Sequence, residues 1–381
     1  MSEAMAEVSD LDDKQKLSDE ELLTKLKDWV RRSRSHSSEW RRAAREDYDL
    51  VAGEQWSNED KVALLDQMRQ PIVFNRVAPM VDAVTGAEIL NRQEVHFAPR
   101  QSGRVQVSEM ITSANDWARD QTDAEDEESD GFSDAVICGM GWTETYMEYC
   151  DDPAGLIRIT RTDPLEMGWD PAAKQRNITD RRYHYRRRGF ERQELRARWP
   201  EKWEQIRNIL DNQPSDEDDT ALDHRPAHDK YRDDGGAGSA QSRLVYVTQI
   251  QWYELEPGYT VKDPMAGDVK ALSPEQYKSI VKLMLSHGMQ PPPAAKTSRK
   301  VYYEAVYTND VLLSRRELKG GWTMHCITGK RDRNKNTWYG IVRAMRDPQR
   351  WGNKWLSQIL HILNTNSKGG LIYESGVFAN P

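Results

Sequence analysis

The chain has 381 residues, 37% hydrophobic and 30% charged, a length that suggests two or three domains and a core whose apolar area comes from 13 Trp and 15 Tyr rather than 5 Phe. Against 54 basic residues stand 62 acidic ones, a net charge of −8, which argues against a protein that grips DNA by neutralising phosphates. The polar, acidic start and the shortness of every apolar run point to no signal peptide and no membrane span, so synthesis in the cytoplasm is expected.

In chain order, residues 1–20 read as a polar, mobile arm with a helix beginning near Ser18. Ser18-Asp19-Glu20-Glu21 is a capping-box pattern that starts a helix, carried on by Leu22, Leu23, Leu26 and Trp29–Val30 and predicted to continue in pieces to Tyr48. Ala52-Gly53 ends it. Pro71-Ile72-Val73-Phe74 is strand-like, and Asn75 is placed to cap a helix bearing Val77, Met80, Val81 and Val84 that reaches Asn91. An extended stretch, 95–99, precedes a helix over 105–120 and another across Phe132–Ile137. Gly139 and Gly141 then open a hairpin over 142–160. Two short helices divided by Pro200 fill 191–210. Residues 213–242, rich in Asp, Gly, Ser and Pro, are the clearest linker, and proteolysis is expected there first.

Strand signals resume at Leu244 and run to Tyr253. Ser273 and Pro274 start a helix whose Tyr277, Ile280, Val281, Met284 and Leu285 are predicted to form a buried stripe, ended by Gly288. Strands at 300–307 and 311–314 form a hairpin. A last helix spans 341–363 or 348–363; in the second case Asp347 caps it and Pro348 sits at N1, with Trp351, Trp355, Ile359 and Ile362–Leu363 along one side.

Chemistry-bearing motifs are sparse. No Walker-type phosphate loop and no His-x-Glu metal signature occur, and Cys138, Cys150 and Cys326 lack metal-type spacing, so buried reduced thiols are expected. Asp163, Asp170 and Asp180 could supply carboxylates to a divalent metal, but Asp163-Pro164 and Asp170-Pro171 are more economically turn formers. A basic cluster (Arg181, Arg182, Arg186–Arg188, Arg192, Arg196, Arg198) and an acidic run over 123–130 read as solvated faces or subunit–subunit ion pairs before nucleic-acid sites.

Taken together and in order, several short blocks carry a resemblance. Tyr48 with Gly53-x-Gln55-Trp56, then Gln70–Asn75, then Gly86, Asn91–Arg92 and Pro99 make the first half. Phe132, Ala135, Gly139 and Gly141, then Asp163-Pro164 through Trp169-Asp170-Pro171 to Asp180, follow. Tyr339–Arg343, Arg346-Asp347-Pro348-Gln349-Arg350 and Asn353 close the series. This set resembles the long, podovirus-like type of tailed-bacteriophage portal protein.

The resemblance implies an α+β portal fold with helical wing and stem and a small α/β clip. It places an N-terminal arm and helix at 1–45, the wing at 46–212, a flexible linker at 213–243, stem and clip at 244–338, and a channel-side stem helix with the start of a returning wing at 339–381. It also implies that a C-terminal wing and crown are missing from this chain, which would make it an N-terminal portion. By the same resemblance the chain is no enzyme and needs no cofactor or metal. It is a virion protein of the capsid vertex that forms a ring of itself, by family a dodecamer. Double-stranded DNA passes through the ring during packaging and ejection, and the large terminase subunit, head-completion or tail adaptors, and capsid and scaffolding proteins dock on it. Trp351, Trp355 and Ile359 become subunit-interface or channel residues. The alternative, a metal-dependent DNA-processing enzyme of a prophage, would rest on Asp163, Asp170 and Asp180.

Overall fold

The computed structural model describes residues 18–67, 69–92, 94–99, 105–149, 152–212, 245–262, 269–286 and 293–366. The chain begins with helices α1 (Asp19–Ala52), α2 (Asn58–Asp66), α3 (Val77–Leu90), α4 (Val105–Asp120) and α5 (Ala124–Ile137). Strands β1 (Met140–Glu148), β2 (Leu156–Thr162), β3 (Met167–Trp169) and β4 (Tyr183–Phe190) follow, then α6 (Arg192–Arg198) and α7 (Trp203–Asn212). After β5 (Val245–Lys262) and β6 (Val269–Leu272) come α8 (Pro274–Ser286), β7 (Ala294–Thr308) and β8 (Val311–Leu318). The series ends with β9 (Met324–Thr328), β10 (Lys330–Asp332), β11 (Thr337–Tyr339) and α9 (Val342–Asn366). Of these residues 49% are helical and 28% in strands. The main sheet is antiparallel throughout, in the order β3-β4-β5-β7-β8 with β6 also on β5. The fold class is α+β, as expected. The predicted linker at 213–243, the arm before Ser18 and Cys150 lie outside the described residues.

Two compact units divide the chain, one from Met1–Ser38 and Thr162–His325, the other from Glu39–Arg161 and Cys326–Pro381. In the first unit the N-terminal part of α1 lies on the main sheet. Leu22, Leu26 and Val30 pack against Tyr183, Ile250 and Trp252, each burial worth about 1.5–3 kcal/mol. Trp29 stacks on Tyr183, with ring centroids 4.8 Å apart. On another patch α6 and α7 bring Leu195 and Ile206 onto Phe190, Val247 and Leu313. The second unit carries the sheet β2-β1-β9 and a cluster of Leu50, Val77, Val81, Val136, Ile137 and Val342.

Local signals account for most boundaries. Ser18 and Glu21 form the reciprocal capping box, as do Ser273 and Gln276 at α8. Asn75 Oδ1 accepts from Val77 N at 3.0 Å and Ala78 N at 3.2 Å, so it caps α3 as expected. The hairpin β7–β8 turns through Asn309, whose φ is +45°.

Four expectations are corrected. α1 does not run in pieces: its serine-rich middle is held by tertiary bonds, Ser33 Oγ donating to Trp169 O and Ser37 Oγ to Ser33 O, which offset weak helix propensity. The stretch 71–74 joins no ladder. The apolar stripe of α8 is not buried, for its members are half-buried and Leu285 is exposed. Finally, of the two starts expected for α9 the earlier holds, for the helix begins at Val342, so Asp347 is an exposed residue inside it and not its cap, and Pro348 is internal. Proline there removes one ladder bond. Side-chain anchors hold the helix on both sides of it: Arg346 binds Asp47, Glu46 and the Ala43 carbonyl before the proline, and Gln349 is held after it.

Candidate functional site

The blocks of the sequence resemblance around Gly53–Trp56, Gln70–Asn75 and Gln349–Asn353 converge in the second unit. Gly53 (φ +96°) ends α1 and lets Gln55 turn inward. There Gln55 Oε1 accepts from Asn353 Nδ2 at 2.6 Å and from Gln349 Nε2 at 2.9 Å, while its own Nε2 donates to Leu50 O at 2.9 Å. Gln349 Nε2 also reaches Phe74 O at 2.7 Å, and Asn353 Oδ1 accepts from Phe74 N at 3.1 Å. Ser357, one turn on, donates to Gln70 O at 3.0 Å. Asn75 Nδ2 returns to Val51 O at 2.8 Å, and Trp56 Nε1 binds Ile72 O at 3.0 Å. Gln55, Gln349, Asn353 and Ser357 are all buried. Together they splice the otherwise ladderless 70–75 segment between the end of α1 and α9, supplying bonds to backbone groups that no ladder pairs.

Other motif residues do structural work nearby. Asn91 caps the end of α3, its Nδ2 donating to Ala87 O at 2.6 Å. Gly139 adopts φ +92°, and a Cβ there would lie 2.3 Å from Tyr339 Cα. At Gly141 it would lie 1.7 Å from Gly131 O, so α5 and β1 cross at backbone contact that no side chain permits. Sequence reasoning missed the hub beside this crossing: buried Asp134 accepts from Tyr48 Oη at 2.7 Å and from both Arg161 Nε and Nη2, at 2.6 and 2.9 Å. Only the spacing of polar residues could have hinted at it. Burial and the neighbouring Asp134 push the Cys138 thiol up, which leaves it inert, and Cys326 is likewise buried.

The three aspartates of the enzymatic alternative face backbone. Asp163 Oδ1 accepts from Leu165 N at 2.8 Å. Asp170 accepts from Ala172 N and Arg182 N, and Asp180 from Lys174 N and Gln175 N. These are turn bonds of the first unit, and they support the turn-former reading. Among the described residues no group of three or more His, Cys, Asp or Glu is arranged to hold a metal ion. No helix among them is long and apolar enough to cross a membrane.

The basic cluster divides: Arg182, Arg196 and Arg198 are exposed, as a solvated face would be, while others are engaged within the chain. Arg181 is buried and donates to His184 Nδ1 at 3.0 Å and Met324 O at 2.7 Å, with its guanidinium over the Trp322 ring. Arg186 pairs with Glu166 at 2.8 Å. Arg187 lies over Tyr246, and Arg188 and Arg198 over Phe190. The acidic run is also engaged within the chain: Arg92 takes Glu125 and Asp126, and Arg119 takes Glu128.

What remains open to a partner is apolar. On α9 the inward row is Val342, Gln349, Asn353 and Ser357, while Trp351 (58% exposed), Trp355 (68%) and Ile359 (52%) face solvent. A groove of about 520 Å³ runs beside them, walled by Phe74, Met80, Met345, Pro348, Trp355 and Ile359. The structure therefore brings Gly53, Gln55, Trp56, Asn75, Gln349 and Asn353 into one network. Gly139 and Gly141 form a separate crossing, Asp163 and Asp170 belong to turns of the other unit, and Trp351, Trp355 and Ile359 stand on the outer side of α9.

The description "phage P22-like portal protein" matches residues 27–381, nearly the whole chain. The chain belongs to the P22-like portal protein family. No curated protein matches it. The portal match takes in the network at Gln55, the glycine crossing and all of α9. Portal proteins are generally structural. In this portal chain the motif side chains bind backbone amides and carbonyls and one another.

Proposed function

We propose that this portal protein is the subunit of a ring at the capsid vertex, by family a dodecamer, through which double-stranded DNA enters during packaging and leaves on ejection. The large terminase subunit, head-completion or tail adaptors, and capsid and scaffolding proteins dock on that ring. The arm at 1–45, wing at 46–212, stem and clip at 244–338 and channel-side helix at 339–381 are the regional assignment. The observation that carries the reading is α9, which spends its polar residues on its own chain and leaves Trp351, Trp355 and Ile359 outside. Exposed apolar surface of that size marks a contact with another protein. A net charge of −8 suits a conduit, since every tight phosphate contact would add to the barrier for the next step of the duplex.

Negative-stain microscopy of the purified protein tests this. Rings with a central hole are expected; monodisperse monomer at every micromolar concentration tried would overturn the reading.

A further inference from the structure

Two helices of the second unit are inverted in the same way. On α4 the row Ser108, Thr112 and Arg119 turns inward, bonding Val105 O, Ser108 O and Glu128. Its opposite row, Met110 (72% exposed), Ala114 and Trp117 (60%), faces solvent. On α9 the polar row binds Gln55 and Gln70, and Trp351, Trp355 and Ile362 face out. Helices with an apolar stripe ordinarily turn it toward the core. Two that turn it away in one compact unit are two halves of contacts made elsewhere.

Their flanks say what covers them. At 100° per residue, a charged row lies a little over a quarter-turn from each apolar stripe, and on the same rotational side of both. On α4 the row is Glu109, Asp116 and Asp120, all exposed; on α9 it is Arg343, Arg350 and Lys354, interrupted by Asp347. Rows on the same rotational side meet when two helices face each other antiparallel, because turning one helix end over end brings like flanks together. The spacing matches as well. Glu109 and Asp120 are eleven residues apart, as are Arg343 and Lys354, which is three helical turns. Within the chain Arg350 pairs with Glu46 and Lys354 with Asp60, surface pairs of the kind that hold weakly, while Arg343 meets the less exposed Asp332 at 3.4 Å; Arg343 also lies over Tyr339 and Lys354 over Trp351.

We infer that α4 of one copy packs antiparallel on α9 of the next, Met110 and Trp117 against Trp351 and Trp355, with Glu109 paired to Lys354 and Asp120 to Arg343. The two surfaces differ, so the contact is head-to-tail and repeats from copy to copy, closing a ring where the rotation allows. The inference rests on the ring-subunit reading and names the surfaces through which the ring is made. The same register sets Asp116 against Asp347, a like-charge pair that limits the contact.

Cross-linking between two differently marked chains tests it. Ser113→Cys on one chain and Arg350→Cys on another face each other in this register, and a short bis-maleimide should join them into a heterodimer well above the yield of either variant alone or of the parent chain. Adding Glu109→Lys and Asp120→Lys to the first chain should cut that yield about tenfold. Adding Arg343→Glu and Lys354→Glu to the second should then restore it, and Asp347→Lys in the unreversed pair should raise it. Circular dichroism of each variant checks that it is folded, and the cysteine pair alone, with no reversed charge, tests the contact if a reversed chain is not. A yield no higher than the controls, or one indifferent to charge reversal and rescue, overturns the inference, including in favour of a different protein covering α4. Microscopy is read separately: rings without this cross-link leave the portal reading intact and sink only the contact.

Discussion

Asn353 and Gln349 each satisfy more than one buried partner, and that multiplicity decides what their loss costs. Asn353→Ala takes the partner from Phe74 N and one of two donors from Gln55 Oε1, which keeps Gln349. An orphaned group costs about 1–3 kcal/mol, so a loss of about 2–3 kcal/mol in urea unfolding is expected, against about 1 kcal/mol for Ser357→Ala, which frees only Gln70 O. Equal small effects at both positions would show the network to be solvated. His184 offers a second residue-scale test. It is completely buried beside Arg181, and desolvation, then the Arg181 guanidinium and the neighbouring His325, hold its pKa well below the usual value, so it is neutral when folded. The unfolded chain takes up a proton near pH 6.5 that the folded chain refuses, so this contribution to stability is intact above about pH 6.5 and is lost as pH falls below it. His325, lowered by burial and Arg181, acts in the same direction. Unfolding followed from pH 7.5 to 5 should show this decline, and His184→Gln should flatten it; an unchanged slope would place the proton uptake elsewhere.

For α9 as an element, subunit stability and assembly separate. Trp351 and Trp355 contribute little to their own chain because both are exposed, so Trp351→Ser with Trp355→Ser should shift subunit unfolding by less than about 0.5 kcal/mol each. The same double variant should lose self-association in sedimentation velocity. A large destabilisation instead would mean the stripe is covered within the chain. Arg346 behaves oppositely: it anchors the first turns of α9 to Asp47, Glu46 and Ala43 O ahead of the internal Pro348, so its removal should destabilise the subunit first.

Over the whole molecule, charge is the governing quantity. Of the arginines that sequence clusters at 181–198, Arg181, Arg186 and Arg188 are spent on His184, Trp322, Glu166 and Phe190, which leaves fewer to meet phosphates. Together with net −8, this predicts weak, non-specific duplex binding with a dissociation constant no tighter than about 10⁻⁵ M at physiological salt, measured by fluorescence anisotropy. Sub-micromolar affinity with a steep salt dependence would contradict a conduit that lets DNA slide.

Sequence alone determined what depends on near neighbours. The capping boxes at Ser18 and Ser273, the cap at Asn75, the glycine step at Gly139 and Gly141 and the turn aspartates follow from residue types a few positions apart, whose partners lie on the same stretch of chain. The motif order that points to the portal family was legible for a similar reason, since it needs only residue identity and sequence order. Tertiary structure decided the rest. Whether Leu26 or Trp355 lies inside is the same question to a periodicity, and only packing answers it: Leu26 meets Tyr185 and Ile250, while on α9 the inner face is claimed by Gln55 and the 70–75 backbone, leaving the tryptophans outside. The continuity of α1, the burial of Arg181 and the choice between the two starts offered for α9 were hidden likewise, because each rests on a hydrogen bond to a residue more than a hundred positions away.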